Sequence, residues 1–207
     1  MADYLDAQQM IPYAIELRDT VDAARYRLQQ LVQLAAEWVE NGRRWQEGTV
    51  DDVSDLARLG PIQSRVFDEI EGLLGALARV SYLVFPVRET GFAKRRAESI
   101  RDGTGLTSGS VINSRELRDS WVHHDERLDA AVQAGNGAAG QRFALSSEVT
   151  ADMKRTFLRI VEMDTLVIHY RARDGGQLST SLREIGTALA DLDETRKALF
   201  RYRLDPA

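Results

Sequence analysis

Two long apolar stripes constrain this chain more than any other feature. Leu17, Val21, Ala24, Leu28, Leu31, Ala35 and Trp38 recur at alternating spacings of four and three. At about 100° per residue all seven fall on one face of a helix. Asn41 and Gly42 are the expected terminators. A second stripe, Val66, Ile70, Leu73, Leu77, Val80 and Val84, is expected to begin after Gly60-Pro61 and to end at Pro86. The short polar connection around Gly48, Asp51 and Asp52 predicts that the two helices lie antiparallel as a hairpin.

The totals fit that picture. At 207 residues, 43% apolar and 29% charged, the chain is expected to form a single domain over residues 1–207, of mainly α class, a helical bundle with a real core. No apolar run approaches the roughly 18 residues that span a bilayer, so no membrane partner is expected. The N-terminus is acidic and lacks an apolar run, and the chain has no cysteine. A cytoplasmic location without a secretory signal is the corresponding expectation. The absence of cysteine removes thiol nucleophiles and cysteine zinc sites, and no cofactor or metal is expected.

A formal charge of −5 argues against coating nucleic acid by bulk electrostatics. One segment runs the other way. Arg88, Lys94, Arg95, Arg96 and Arg101 stand against Glu89 and Glu98 only. A solvated face of a short helix over Phe92 to Arg101, closed by D-G-T-G-L-T-S-G, is the plain reading.

Downstream, Asn113 with Glu116 suggests an N-cap, and Leu117, Trp121, His124, Leu128 and Val132 continue as the inner face of one helix. The run A-G-N-G-A-A-G after it is a candidate flexible loop. Phe157 to Glu162 and T-L-V-I-H-Y, Thr165 to Tyr170, are rich in β-branched and aromatic residues. They predict a small β-hairpin over 156–171, with a helix over 153–170 as the other reading. A last helix has Ser181 and Glu184 as a capping pattern, with Leu178, Leu182, Ile185, Leu189, Leu192 and Leu199 on one face. Trp38, Trp45 and Trp121 suit core or interface positions, and His169 a surface or strand-edge position.

Two of the three histidines are adjacent, at 123 and 124. His124 shares the inner face with Trp121. His123 is displaced from it, with Asp119 four residues before and Arg127 four after; Asp119 is placed to accept a hydrogen bond from its ring. Arg118 precedes His123 by five, about 140° round the helix, so a substrate or a second copy must bring their heads together.

The segment Arg118-Asp119-Ser120-Trp121-Val122-His123 resembles the R-x4-6-H motif of the HEPN superfamily (higher eukaryote and prokaryote nucleotide-binding domains), and Asp125 to Asp129 resembles its continuation in some bacterial members. In those, an aromatic often stands where His124 does here. Active members often carry asparagine where this chain has Asp119. The resemblance implies an α-helical bundle that forms a homodimer and juxtaposes the motifs of both subunits. It also implies metal-independent endoribonuclease activity in many members, with Arg118 and His123 as the catalytic pair.

That chemistry is physically coherent. Cleavage of RNA through its own 2′-hydroxyl needs a proton acceptor, a proton donor and positive charge on the phosphate, which a histidine and an arginine supply. Arg115, one turn before Arg118, is a supporting candidate, for phosphate or for Asp119. Lys94, Arg95, Arg96 and Arg101 are candidate RNA-backbone contacts. The implied setting is a toxin or phage-defence component restrained by an inhibitory protein partner. The competing readings are a non-catalytic helical dimerisation or interaction module, and a nucleotide-binding accessory to a nucleotidyltransferase.

Overall fold

A computed structural model describes residues 4–48, 53–88, 90–113, 115–133 and 139–204. The first stripe forms α1, Ala7–Gln46. It runs past Asn41 and Gly42 because Arg43 bridges Glu40 and Glu47 across one turn each way, at 2.7 and 2.6 Å. The second forms α2, Val53–Val84, which begins before Gly60-Pro61 and carries the proline inside it. A proline there costs about 3 kcal/mol. Burial of Ile62, Val66, Ile70, Leu73, Leu77, Val80 and Val84 offsets that cost, and every apolar position expected on this stripe is buried. Arg27 donates to Glu69 at 3.0 Å, joining positions comparably far from the connection, as an antiparallel hairpin requires. Gly48 lies in a turn with φ of 64°, whereas Asp51 and Asp52 lie outside the described residues.

Contacts divide the chain into two compact units. The first draws on the described parts of Met1–Tyr26, Gly72–Ser114 and Glu184–Ala207, the second on Arg27–Glu71 and Arg115–Arg183. In the first unit the short basic helix is α3, Gly91–Thr104, stopped by Gly105 in the left-handed conformation. The buried Ser99 hydroxyl accepts the Leu5 amide at 2.9 Å, and Arg25 pairs with the buried Asp193 at 3.0 Å. The core around them includes Leu17, Val21, Leu77, Val80, Ile100, Ile185 and Leu189.

The second unit holds more β structure than the sequence suggests. The single inner helix expected from Leu117 to Val132 is divided into α4, Arg115–Val122, and α5, His124–Gln133. Leu117 and Trp121 are buried as expected, Leu128 is half-buried and Val132 is exposed. Asn113 does not cap α4: its amide oxygen accepts the Ser81 hydroxyl at 2.8 Å and its amide nitrogen donates to the Ser108 carbonyl at 3.2 Å. Of the supposed loop A-G-N-G-A-A-G, residues 134–138 lie outside the described residues, while the final alanine and glycine open β1, Ala139–Ala144.

A short helix, α6, Ala151–Thr156, capped by the Thr150 hydroxyl on the Met153 amide, leads to β2, Phe157–Glu162. Then follow β3, Val167–Arg171, and β4, Gln177–Ser181. The order is β1-β2-β3-β4, with β1 parallel to β2 and the other pairs antiparallel. The expected hairpin is therefore the centre of a four-stranded mixed sheet, and β2 is buried on both faces. Leu178, assigned above to the last helix, belongs to β4, whereas Ser181 directly precedes α7, Leu182–Leu204, in the flanking place expected for its capping pattern with Glu184. Leu182, Ile185, Leu189 and Leu192 are buried on it, while the side chain of Leu199 lies outside those described. Among the described residues no helix is long and apolar enough to cross a membrane.

The turn between β2 and β3 is pinned from outside. Leu166 adopts a left-handed φ of 58°, a conformation that costs a side chain like leucine about 1 kcal/mol or more. Asp164 accepts both the amide and the hydroxyl of Ser146, which ties the segment after β1 to this turn. Partial burial raises the pKa of Asp164, but the Ser146 bonds outweigh it and hold the carboxyl below its usual value. A depressed carboxyl stabilises the fold above its unfolded pKa of about 4 and loses that contribution as pH falls through the folded value. Asp164→Asn should therefore lower stability by up to about 1 kcal/mol at neutral pH, and the gap to the parent should close below about pH 4. Thermal unfolding of both proteins across this range measures it.

Candidate functional site

Arg118 lies on α4 with its side chain only 15% exposed. Its Nε and Nη2 both donate to Asp119 Oδ1, at 3.1 and 2.9 Å. Asp119 is thus turned to the arginine and not to the ring of His123. His123 occupies the single residue between α4 and α5, with its backbone amide on the Asp119 carbonyl at 3.1 Å. Its side chain is 51% exposed, and Nδ1 stands 3.5 Å from Glu126 Oε1. Arg127, expected beside it, instead reaches the Arg171 carbonyl on β3. Arg115 is exposed. The His124 side chain lies outside those described, so its assignment to the core does too. Arg118 thus lies on α4 and His123 just past its end, the first bonded to Asp119 and the second facing Glu126.

The basic segment has a local use. The last turn of α2 carries no basic residue of its own, and its terminal carbonyls have no partner within the helix. From α3, Arg96 donates to the Tyr82 and Leu83 carbonyls at 3.1 and 3.3 Å, and Arg101 to the Val84 carbonyl at 3.1 Å. Arg96 also lies over the Tyr13 ring and Arg101 over that of Phe85. Arg95 lies over Phe92, and Lys94 pairs loosely with Glu98 at 3.8 Å. Arg88 is exposed. Two of the four candidate RNA contacts thus complete a helix end. They belong to the first unit, whereas the motif belongs to the second.

Two groups escaped the sequence reading. Arg159, on β2, is only 4% exposed. Its guanidinium lies 4.1 Å from the Trp121 ring centroid and 5.7 Å from that of Phe67, and its Nε has no hydrogen-bond partner. Burial, reinforced by the charge of Arg127, pushes its pKa down to about 10 against the pull of Glu71. It remains a cation at neutral pH. An arginine inside an apolar run gives no signal of a stack until strand register is known. The second is His169, on the interior strand β3 rather than at an edge. Its Nε2 is 2.6 Å from Glu162 Oε1, with side-chain exposures of 14% and 11%, and the Thr165 hydroxyl donates to the other carboxylate oxygen. Trp121 is the core residue expected; Trp38 is half-buried and Trp45 exposed. Among the described residues no group of three or more histidine, aspartate and glutamate side chains is placed to hold a metal ion.

Burying a guanidinium with one of its donors unsatisfied costs up to several kcal/mol, and contact with two rings returns about 2 kcal/mol or somewhat more. Arg159→Met, which keeps the length and removes the charge, should leave stability at pH 7 unchanged or raise it by about 1–3 kcal/mol. Arg159→Ala should lower it by about 2–5 kcal/mol through the cavity it leaves. Denaturant unfolding separates the two, and a marked loss in the methionine variant would mean that the guanidinium holds a counter-ion in solution.

Comparison of the chain with protein-family models, with curated proteins and with solved structures gives no match. The grounds for assigning a function are the residues themselves.

Proposed function

We propose that this protein is a HEPN-like, metal-independent endoribonuclease that acts as a homodimer, with Arg118 and His123 of both copies forming one composite site. The observation that carries this reading is the position of His123. It stands at the junction of α4 and α5 with its imidazole half exposed and 3.5 Å from the Glu126 carboxylate. Next to it Val122 is 68% exposed, an apolar group that a second copy would cover. An exposed imidazole beside an exposed apolar side chain suits an active centre completed across an interface.

In the reaction, His123 of one copy takes the proton of the RNA 2′-hydroxyl while that oxygen attacks the phosphorus. The bond from phosphorus to the 5′-oxygen breaks, and His123 of the other copy protonates the departing oxygen. The products are a 2′,3′-cyclic phosphate and a 5′-hydroxyl. Arg118 neutralises the charge that develops on the phosphoryl oxygens. Asp119 opposes this step, because the carboxylate that holds Arg118 competes with the phosphate for the same guanidinium. Such an enzyme needs restraint in its host, which fits a toxin or phage-defence component with an inhibitory protein partner.

Purified protein incubated with mixed RNA in chelator should cleave it, and His123→Ala and Arg118→Ala should each lower the rate at least about a hundredfold, the usual scale for an acid–base or charge-stabilising group. Asp119→Asn should raise the rate by up to about fivefold, as expected for release of an ion pair of about 1 kcal/mol. Light scattering should report a dimer. Cleavage that survives both alanine substitutions, or a strict monomer, overturns the composite site. A dimer that leaves RNA intact points to the interaction module instead.

A further inference from the structure

A cleft of about 200 Å³ opens on one face of the sheet in the second unit. The register of the strands explains its lining. Ile160 on β2 and Ser179 on β4 both stand opposite His169 on β3, so the three cross the sheet in one row on one face. Leu158, two residues before Ile160 on β2, adds an apolar side chain on the same face, and Lys154 on α6 and Gln177 on β4 also line the cleft. Two bonds fix these walls to one another. The Gln177 amide donates to the Lys154 carbonyl, and Arg171 to the Arg155 carbonyl. The end of α6 is thereby capped by side chains of the sheet, and the cleft is formed before any ligand arrives.

The chemistry inside is directional. Glu162 lies two residues along β2 from Ile160 on the same face, and its carboxylate engages His169 Nε2. That contact fixes the ring and leaves Nδ1 as its second donor position when the ring is protonated. Among the described residues Nδ1 has no hydrogen-bond partner, and the Lys154 ammonium has no carboxylate within 4 Å. A histidine and carboxylate that served the fold alone would need no opening to solvent, and Lys154 lines that opening. The one carboxylate at this site is already engaged by both His169 and Thr165.

We infer that this cleft binds a small organic anion, its charged head on His169 Nδ1 and the Lys154 ammonium and its short apolar tail against Leu158 and Ile160. The size sets the class. Pockets for larger ligands run from about 300 Å³ upward, so this one takes a charged group with a few carbons and no more. Ser179 and the carbonyl oxygen of the Gln177 amide stand on the same wall for a further polar contact. The site is separate from Arg118 and His123 and stands whether or not the chain cleaves RNA.

Titration of uniformly 15N-labelled full-length protein tests it, with the His169 ring resonances assigned by loss in His169→Gln. Butyrate should shift them saturably. Inorganic phosphate, which lacks the tail, should bind at least tenfold more weakly, and butyramide, which lacks the charge, should not shift them. Lys154→Met should weaken butyrate at least tenfold while leaving the melting temperature and any RNA cleavage unchanged. Absence of a saturable shift with butyrate overturns the proposal, and so does a butyrate affinity unchanged in Lys154→Met. Equal affinity for butyrate and butyramide removes the anion from it. If His169→Gln fails to fold because Glu162 loses its partner, the lysine variant and the ligand series still decide.

Discussion

The second unit depends on one awkward interaction, the guanidinium of Arg159 laid against Trp121 and Phe67. Phe67 meets Phe143 edge-on at 5.2 Å and Trp121 at 5.3 Å, so three rings and one cation join α2, α4, β1 and β2. An apolar side chain at 159 would fill the same space without a desolvation penalty. A planar cation adds orientation, because it gains from a ring only when placed over its face. Trp121 is held by that requirement, and the helix carrying Trp121 also carries Arg118 and leads into His123.

The charges of the first unit follow the same economy. A basic run in an acidic chain invites a nucleic-acid reading, yet Arg96 and Arg101 face the open carbonyls at the end of α2. A helix end without basic residues of its own, followed by a bend and Pro86, leaves those carbonyls to be satisfied by whatever packs there. Guanidinium groups reach several carbonyls at once, and an aromatic ring beneath each one shields the contact. For RNA, the less committed cations of this segment are Lys94, with its loose pair, and the exposed Arg88.

What could be read in advance divides along periodicity. The stripes of α1 and α2 were legible because burial of one face over many turns leaves a repeating pattern, and nearly every position named on them is buried or half-buried. The hairpin of β2 and β3 was legible because both strands are rich in β-branched residues. The outer strands were not. A-G-Q-R-F-A and Q-L-S-T-S are edge strands whose small and polar residues carry no alternation, and their place follows only from pairing with β2 and β3. Continuation of α2 through Pro61 and of α1 through Gly42 are cases of tertiary burial and ion pairs overriding local stop signals. Within the motif, the sequence placed Asp119 beside His123 by spacing, but its nearest cation is Arg118, one residue away. The Glu162 contact with His169 is diagonal across two strands, and no one-dimensional spacing reveals it.

These observations bear on how one chain carries two histidines of opposite character. His169 is preset: a buried carboxylate fixes its ring, a hydroxyl fixes the carboxylate, and only one nitrogen is left to respond to a ligand. His123 stands half exposed, 3.5 Å from an exposed carboxylate. A preset imidazole suits recognition of a small group, since no ordering remains to oppose binding. A half-exposed one suits a centre that is complete only in an assembly, where the second copy and the substrate supply the missing constraints. The lone arginine of the motif is restrained by Asp119 in the same sense. On the proposed reading, a phosphate at the site must compete with that carboxylate for the Arg118 guanidinium.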